Sequence, residues 1–102
     1  SAFIATALNI KPVMSAEGGQ IIKLDQARGI NKALKRMVEI VFRDNEKTEE
    51  KRLVISHVNA PERAEQVKEM LYSQGKFKEV VITDTAGVST VYANDGGIIV
   101  AL

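Results

Sequence analysis

The residues best suited to chemistry lie near the end of the chain, in the run Tyr92-Ala93-Asn94-Asp95-Gly96-Gly97. A turn rich in glycine and amides can point backbone N–H groups at an anion, and a tyrosine beside it adds a hydroxyl donor. The same residues also suit a plain hairpin turn, with Tyr92 as a half-buried strand residue. The residue types alone leave both interpretations open.

The sole histidine, His57, closes an apolar run that begins at Leu53. General-base catalysis would need a partner group and a substrate, and the sequence offers no such partner, so we predict no catalytic residue and favour a hydrogen-bonding role for His57. Asn59 comes two residues later, before Ala60-Pro61-Glu62. This pattern predicts that Asn59 caps a helix, and a ligand-binding role for it is the lesser alternative.

Composition excludes several classes of function. The 102 residues are 45% hydrophobic and 26% charged, with a net charge of +1, which gives no electrostatic reason to expect nucleic acid as a partner. The absence of cysteine rules out disulfides and thiolate sites, and one histidine makes a zinc site unfavourable, so we expect no metal and no cofactor. No apolar run reaches the ~20 residues of a membrane span and no signal peptide is visible, which favours a cytoplasmic protein.

Two amphipathic helices and six strands must position these residues. Apolar residues at helical spacing predict a helix from Arg28 to Arg43, and a second is predicted to run from the Asn59 junction to Gln74. The six predicted strands are residues 10–15, 20–24, 53–58, 79–83, 88–93 and 97–102, the first two joined by a turn at Glu17-Gly18-Gly19. Two helices cannot cover both faces of such a sheet. We therefore predict an α/β two-layer sandwich, a mixed six-stranded sheet with the helices on one face.

Four segments resemble the DegV family of bacterial proteins, specifically its C-terminal domain. They are Leu8-Asn9-Ile10-Lys11-Pro12, Arg28-Gly29 opening the helix with Lys32-Ala33-Leu34-Lys35-Arg36, His57-Val58-Asn59-Ala60-Pro61-Glu62, and the closing glycine-containing motif. The resemblance covers nearly the whole chain. Residues 1–102 are thus expected to be a single domain whose N-terminal partner domain is absent, in keeping with a chain that starts at Ser1 and not at methionine.

The resemblance implies a lipid-binding, non-enzymatic function. In this family a long-chain fatty acid lies in an apolar tunnel and its carboxylate is presented to a fatty-acid kinase, while the N-terminal domain contributes hydroxyl groups to the head-group site. Carried onto this sequence, it implies ligand-binding roles for Tyr92, Ala93, Asn94 and Gly96, and junction roles for His57 and Asn59. Arg28 and Lys32 would then form the kinase-docking surface, for which the alternative is a solvated basic face.

Leu8, Ile10 and Val13 are the predicted lining of the acyl tunnel, although apolar residues of this kind also form ordinary core. The closing motif departs from the family's usual His-Thr-Gly-Pro-Gly: Tyr92 keeps a hydroxyl, Ala93 has none, and Asp95 adds a negative charge that repels a carboxylate. Three alternatives therefore stay open. They are binding of another small amphiphile, a structural or regulatory α/β domain, and an enzyme of small-molecule metabolism, the last without support from a phosphate loop or a nucleophile–base pair.

Overall fold

The computed structural model describes residues 10–17, 20–84 and 97–102. These residues form five strands, two helices and one short 3₁₀ turn. The strands are β1 (Ile10–Glu17), β2 (Gln20–Arg28), β3 (Arg52–His57), β4 (Glu79–Asp84) and β5 (Ile98–Ala101); the helices are α1 (Ile30–Asp44) and α2 (Pro61–Gln74), and the turn is Thr48–Glu50. The chain divides into two compact units, the first ending at Arg43 and the second beginning at Asp44.

The first unit is built on a hairpin. β1 and β2 pair antiparallel from Ile10 opposite Arg28 to Glu17 opposite Gln20, with a register shift between Val13 and Met14. Gly29 then turns the chain into α1 with a φ of 85°, a conformation that glycine adopts without steric cost. The carbonyl of Gly29 accepts the first helical hydrogen bond from the N–H of Ala33 at 3.2 Å. The glycine therefore sets where the helix begins.

The core of the first unit joins the hairpin to α1. Val13, Ala33 and Ile40 are buried together, and three partly buried residues pack against them: Leu24, Ala27 and Met37. Helical spacing predicted the buried positions Ala33, Leu34, Val38 and Val41, and burial confirms them. The hairpin and the helix thus share one apolar cluster.

An ion pair links the hairpin to the polar side of α1. The Arg36 guanidinium donates from Nε to Asp25 Oδ2, and its Nη1 lies 3.2 Å from Glu39 Oε2. Asp25 Oδ1 also accepts from the backbone N–H of Gln26 at 2.7 Å. The bond from Gln26, followed by the one from Arg36, holds the pKa of the Asp25 carboxyl below its usual value. Asp25 therefore ties strand β2 to helix α1.

The second unit is a three-stranded sheet in the order β4-β3-β5. β3 runs parallel to β4 and antiparallel to β5, so the sheet is mixed. Burial alternates along β3, where Leu53, Ile55 and His57 are buried. α2 connects the parallel strands and packs on β3 and β4, with Ala64, Val67 and Leu71 buried. Such a βαβ crossover brings the ends of β3 and β4 to the same edge of the sheet.

The 3₁₀ turn is tied to the segment after α2. Thr48 is 7% exposed, and its Oγ1 donates to the carbonyl of Lys76 at 2.7 Å. The N–H of Lys78 donates to the carbonyl of Lys51 at 2.9 Å. The connection between α1 and β3 therefore contains a turn that is hydrogen-bonded to the segment that follows α2.

The predicted mixed α/β fold is confirmed, and in the second unit the helix packs on one face of the sheet. The described residues form two sheets and not the predicted single six-stranded sheet. Pairing of adjacent hairpin arms is local and readable in sequence, whereas the joining of distant strands is not. The predicted turn glycines Gly18 and Gly19, and the predicted strand of residues 88–93, lie outside the described residues. Of the described helices, none combines the length and the apolar character that a membrane crossing requires.

Candidate functional site

The candidate site lies at one edge of the second sheet. We call this the carboxyl edge and define it as His57, Val58, Ala60, Asp84, Gly97 and Ile98. His57 ends β3 and is the register partner of two residues, Asp84 on β4 and Ile98 on β5. Because β3 and β4 are parallel, both of their carboxyl ends meet here, and ligands of open α/β sheets characteristically bind outside such ends.

His57 is held at this edge by its own turn. The side chain is 6% exposed, and its Nδ1 accepts a hydrogen bond from the backbone N–H of Ala60 at 3.1 Å. An imidazole that accepts at Nδ1 is neutral and carries its proton on Nε2. The side chain therefore satisfies a backbone donor just ahead of α2, a task that the sequence had assigned to Asn59.

Asn59 has a different local role from the predicted cap. The residue in the N-cap position of α2 is Ala60, one residue later, and it makes no side-chain capping bond. Asn59 is exposed and has a φ of 54°, in the left-handed region that asparagine tolerates better than most residues. Asn59 thus makes the sharp turn that lets the Ala60 N–H reach back to His57. The predicted capping by Asn59 is wrong, because the turn moves the start of the helix.

The carboxyl edge also anchors the closing segment. The N–H of Val58 donates to the carbonyl of Gly97 at 3.1 Å, immediately before β5 begins. The described residues Asp84 and Gly97 therefore lie on either side of His57. Neighbouring strands lie about 4.8 Å apart, so these two residues are about 10 Å from each other. The predicted ligand-binding residues Tyr92, Ala93, Asn94 and Gly96 fall between them in sequence and, like Leu8, lie outside the described residues.

A hydroxyl pair near this edge was not predicted. Ser56 Oγ and Thr83 Oγ1 are 2.9 Å apart across the parallel strands β3 and β4. Ser56 alternates with the buried Ile55 and His57, which places the pair on the opposite face of the sheet from them. Thr83 is exposed and Ser56 is partly buried. The pairing register of two distant strands brings these hydroxyls together, and no local sequence signal announces it.

The other predicted residues lie in the first unit. Arg28 is the exposed last residue of β2, and Lys32 is exposed in the first turn of α1, which carries no acidic residue. The turn at Gly29 brings both cations to the same end of the unit. Ile10 starts β1 and is half-buried, while Val13 packs in the apolar core with Ala33 and Ile40. Val13 thus has core contacts in this structure, and its predicted lining of a tunnel stays a prediction.

The titratable groups give little basis for metal chemistry. Within residues 10–17, 20–84 and 97–102, no three histidine, cysteine, aspartate or glutamate residues cluster in a way that could hold a metal ion. The fold and the site define a mixed α/β protein with its candidate site at the carboxyl edge of a sheet.

The sequence assigns this protein to a family. The model of the DegV family matches residues 1–102, and the chain belongs to that family. It is 27% identical over 99 residues to a DegV domain-containing protein of Streptococcus pneumoniae, covering 96% of this chain. The chain spans 35% of that relative's own length.

Two solved structures share the fold. A DegV family protein from Ruminococcus gnavus, whose crystal structure was refined with vaccenic acid, is 48% identical with a TM-score of 0.84, over 91% of this chain and 34% of that one. A protein from Streptococcus agalactiae, described as a fatty acid binding DegV family protein, is 31% identical with a TM-score of 0.71. That match covers 97% of this chain and 35% of the other.

Proposed function

We propose that this chain is the C-terminal, acyl-holding part of a fatty-acid-binding protein. Membership of the DegV family supports this, as do the two similar structures, one refined with vaccenic acid and the other described as fatty acid binding. Because the chain spans about a third of its relatives, the remaining part of the site would come from a partner domain N-terminal to it. The protein would bind its lipid without chemically changing it.

The observation that carries the proposal is the position of Asp84 and Gly97, the described residues on either side of the predicted head-group motif in sequence. Both lie at the carboxyl edge, one strand away from His57 on either side. α2 begins at the same edge with Pro61, and the start of a helix provides backbone N–H groups and a partial positive charge. A carboxylate held by Tyr92, Ala93, Asn94 and Gly96 would therefore sit in a favourable field, which offsets the repulsion expected from Asp95.

Burial of the acyl chain would supply most of the affinity. Each buried CH₂ group contributes about 0.8 kcal/mol, so sixteen of them contribute about 13 kcal/mol before the cost of association. Such a gain tolerates a weakened head-group site. Leu8, Ile10 and Val13 would lie along the tunnel that takes the chain, and variation at Tyr92 to Asp95 would then adjust the affinity and not abolish it.

The finer part of the proposal concerns the partner. A carboxylate at the carboxyl edge would be accessible for phosphoryl transfer by a separate fatty-acid kinase. Arg28 and Lys32, both exposed at one end of the first unit, would provide cationic contacts for it. Paired cations at a helix start are locally unfavourable because the dipole there is positive, which suits a surface selected for binding and not for helix stability.

The test is native mass spectrometry with solvent extraction on the complete protein, purified without detergent. We expect one long-chain fatty acid per protein, lost on delipidation and regained from a fatty-acid panel. A protein that stays free of lipid after incubation with the panel would refute the proposal.

The two tyrosines allow a matched pair of variants. Tyr92→Phe removes the proposed head-group donor, and we expect fatty-acid affinity to fall by roughly tenfold or more, as for loss of a hydrogen bond to a charged group. Tyr72→Phe removes a hydroxyl from a tyrosine on α2 that is 49% exposed and should leave the affinity unchanged. Equal affinities for the wild type and both variants would remove Tyr92 from the site.

A further inference from the structure

The face of the second sheet that lies opposite α2 changes in polarity along the strands. Burial alternates along β3, so Val54 and Ser56 point away from the buried Leu53, Ile55 and His57. Register partners share a face of a sheet, so β4 and β5 add their own residues to it. We call this surface the hydroxyl face and define it as Val54, Ser56, Val81, Thr83, Ile99 and Ala101.

Two rows of side chains make up the hydroxyl face. The row nearer the carboxyl edge holds the Ser56 and Thr83 hydroxyls, whose oxygens are 2.9 Å apart. The next row is apolar and contains the register partners Val54 and Val81. All six residues of the face are partly or fully exposed. The face thus combines hydrogen-bonding groups and accessible apolar surface.

The α2 side of the same sheet has no room for a ligand. Leu53 and Ile55 on β3, and Val67 and Leu71 on α2, are each 0% exposed. A side chain without accessible surface borders neither bulk water nor a cavity wide enough for a hydrocarbon chain, because the interior around it is close-packed. A lipid that lies on this sheet would therefore lie on the hydroxyl face.

We propose that the hydroxyl face binds the fatty acid, with the Ser56–Thr83 pair donating to its carboxylate and Val54, Val81 and Ile99 contacting its acyl chain. The inference rests on the proposed function and adds a contact surface to it. Within the pair one hydroxyl donates to the other, so one O–H is left to donate to a ligand. A hydrogen bond from a hydroxyl to a carboxylate is charge-assisted and belongs to the stronger kind.

An ion pair at the far end of the face sets the direction of the chain. Arg52 Nε lies 2.7 Å from Glu79 Oε2, and the two side chains are 67% and 49% exposed. Because Glu79 already neutralises Arg52, a ligand carboxylate gains more from the hydroxyl row than from this pair. The row of Arg52 lies about 13 Å from the row of Ser56, at about 3.3 Å per residue. The acyl chain would therefore cross the apolar row between them.

The hydroxyl pair predicts unequal effects of single and double substitution. In Ser56→Ala or Thr83→Val the remaining hydroxyl has lost its neighbour and can donate to the ligand instead. By calorimetry on the complete protein, each single variant should lose at most about threefold in oleate affinity and the double variant about tenfold, as for a bond to a charged group. Replacing both partners by apolar groups is nearly neutral for stability, so the double variant should stay folded. Ser73→Ala removes an exposed hydroxyl from α2 and should bind oleate as the wild type does.

A second pair of variants identifies the face. Val80 and Val81 are neighbours on β4 and point to opposite faces of the sheet, Val80 as the register partner of Leu53 and Val81 as that of Val54. Val81→Thr places a hydroxyl in the path of the acyl chain and should lower oleate affinity by about fourfold, the size of one buried methyl group. Val80→Thr, the same change on the α2 side, should leave the affinity unchanged.

Covalent labelling gives an independent measurement. A fatty acid with a diazirine at mid-chain should, on irradiation, label the peptides that contain Val54, Val81 or Ile99, and excess oleate should suppress the label. A double variant with wild-type affinity, or a label confined to other parts of the chain, would overturn this inference and leave the proposed function intact, because lipid is still bound. A complete protein that binds neither oleate nor the probe would refute the proposed function and the inference together.

Discussion

The hydrogen bond from Thr48 to Lys76 should stabilise the segment that follows the C-terminal end of α2. Thr48→Val removes the donor and keeps the shape of the side chain. Oγ1 lies 2.7 Å from the carbonyl of Lys76, and Thr48 is 7% exposed. The adjacent bond from Lys78 N–H to the Lys51 carbonyl spans 2.9 Å and closes the same connection. Loss of the threonine donor should therefore weaken this neighbouring bond.

The structure sets the size of the effect. A net intramolecular hydrogen bond contributes about 0.5–1.5 kcal/mol, and leaving a buried partner unsatisfied costs about 1–3 kcal/mol. Lys76 is exposed, so water can replace part of the lost bond, and the cost should fall where the two ranges overlap. We take about 1.4 kcal/mol, which corresponds to a tenfold change in an opening equilibrium.

The assay is native-state hydrogen exchange at the Lys78 amide in the complete protein. In Thr48→Val the Lys78 amide should exchange about tenfold faster than in the wild type, because its exchange reports local opening and not global unfolding. The control is Thr48→Ser, which keeps the hydroxyl and loses one methyl group worth about 0.8 kcal/mol, or about fourfold. Unchanged exchange in Thr48→Val, or a larger effect in Thr48→Ser than in Thr48→Val, would refute the reasoning.

Two further predictions concern charge. Because the pKa of Asp25 is lowered in the folded protein, its contribution to stability is present above the unfolded value near 3.9 and is lost as pH falls through the folded value. Asp25→Asn should thus lower the urea midpoint of unfolding at pH 7 and reduce the further fall of that midpoint as the pH is lowered. The exposed control Glu65→Gln should show neither effect. Identical dependence of the urea midpoint on pH in the wild type and Asp25→Asn would contradict the prediction. Under the proposed function, Arg28→Glu should slow phosphoryl transfer to the bound fatty acid by a fatty-acid kinase without changing fatty-acid affinity, whereas Lys76→Glu should leave both unchanged. An Arg28 variant with full transfer rate would exclude this residue from docking.

Local patterns predicted the elements of this chain well. Apolar spacing predicted both described helices to within a few residues, since burial of one helical face is a local property. β2 extends to Arg28, four residues beyond the predicted end at Leu24, because its later residues pair with Ile10 to Val13 on β1. The grouping of strands into two sheets depends on contacts between distant residues, and no single segment encodes it.

The candidate site was likewise predictable from the sequence only where local patterns determine it. The sequence marked His57 and Asn59 as a junction, and the structure brings that junction to the start of β5. It did not reveal that His57, and not Asn59, satisfies the donor ahead of α2, because this depends on the φ of Asn59 and on the resulting path of the chain. The sequence did not predict the Ser56–Thr83 pair for a related reason, since the two residues are 27 positions apart.

The placement of Asp84 and Gly97 on either side of His57 has an evolutionary consequence. The residues between two such fixed points can change in sequence or in number without altering the register of the sheet. The entropic cost of closing a longer loop rises slowly, by about 0.6 kcal/mol per doubling of length. Under the proposed function, relatives could therefore diversify their ligand preference between these two residues while the sheet stays constant. The sequence Tyr92-Ala93-Asn94-Asp95-Gly96 would then be a place to exchange specificity between relatives.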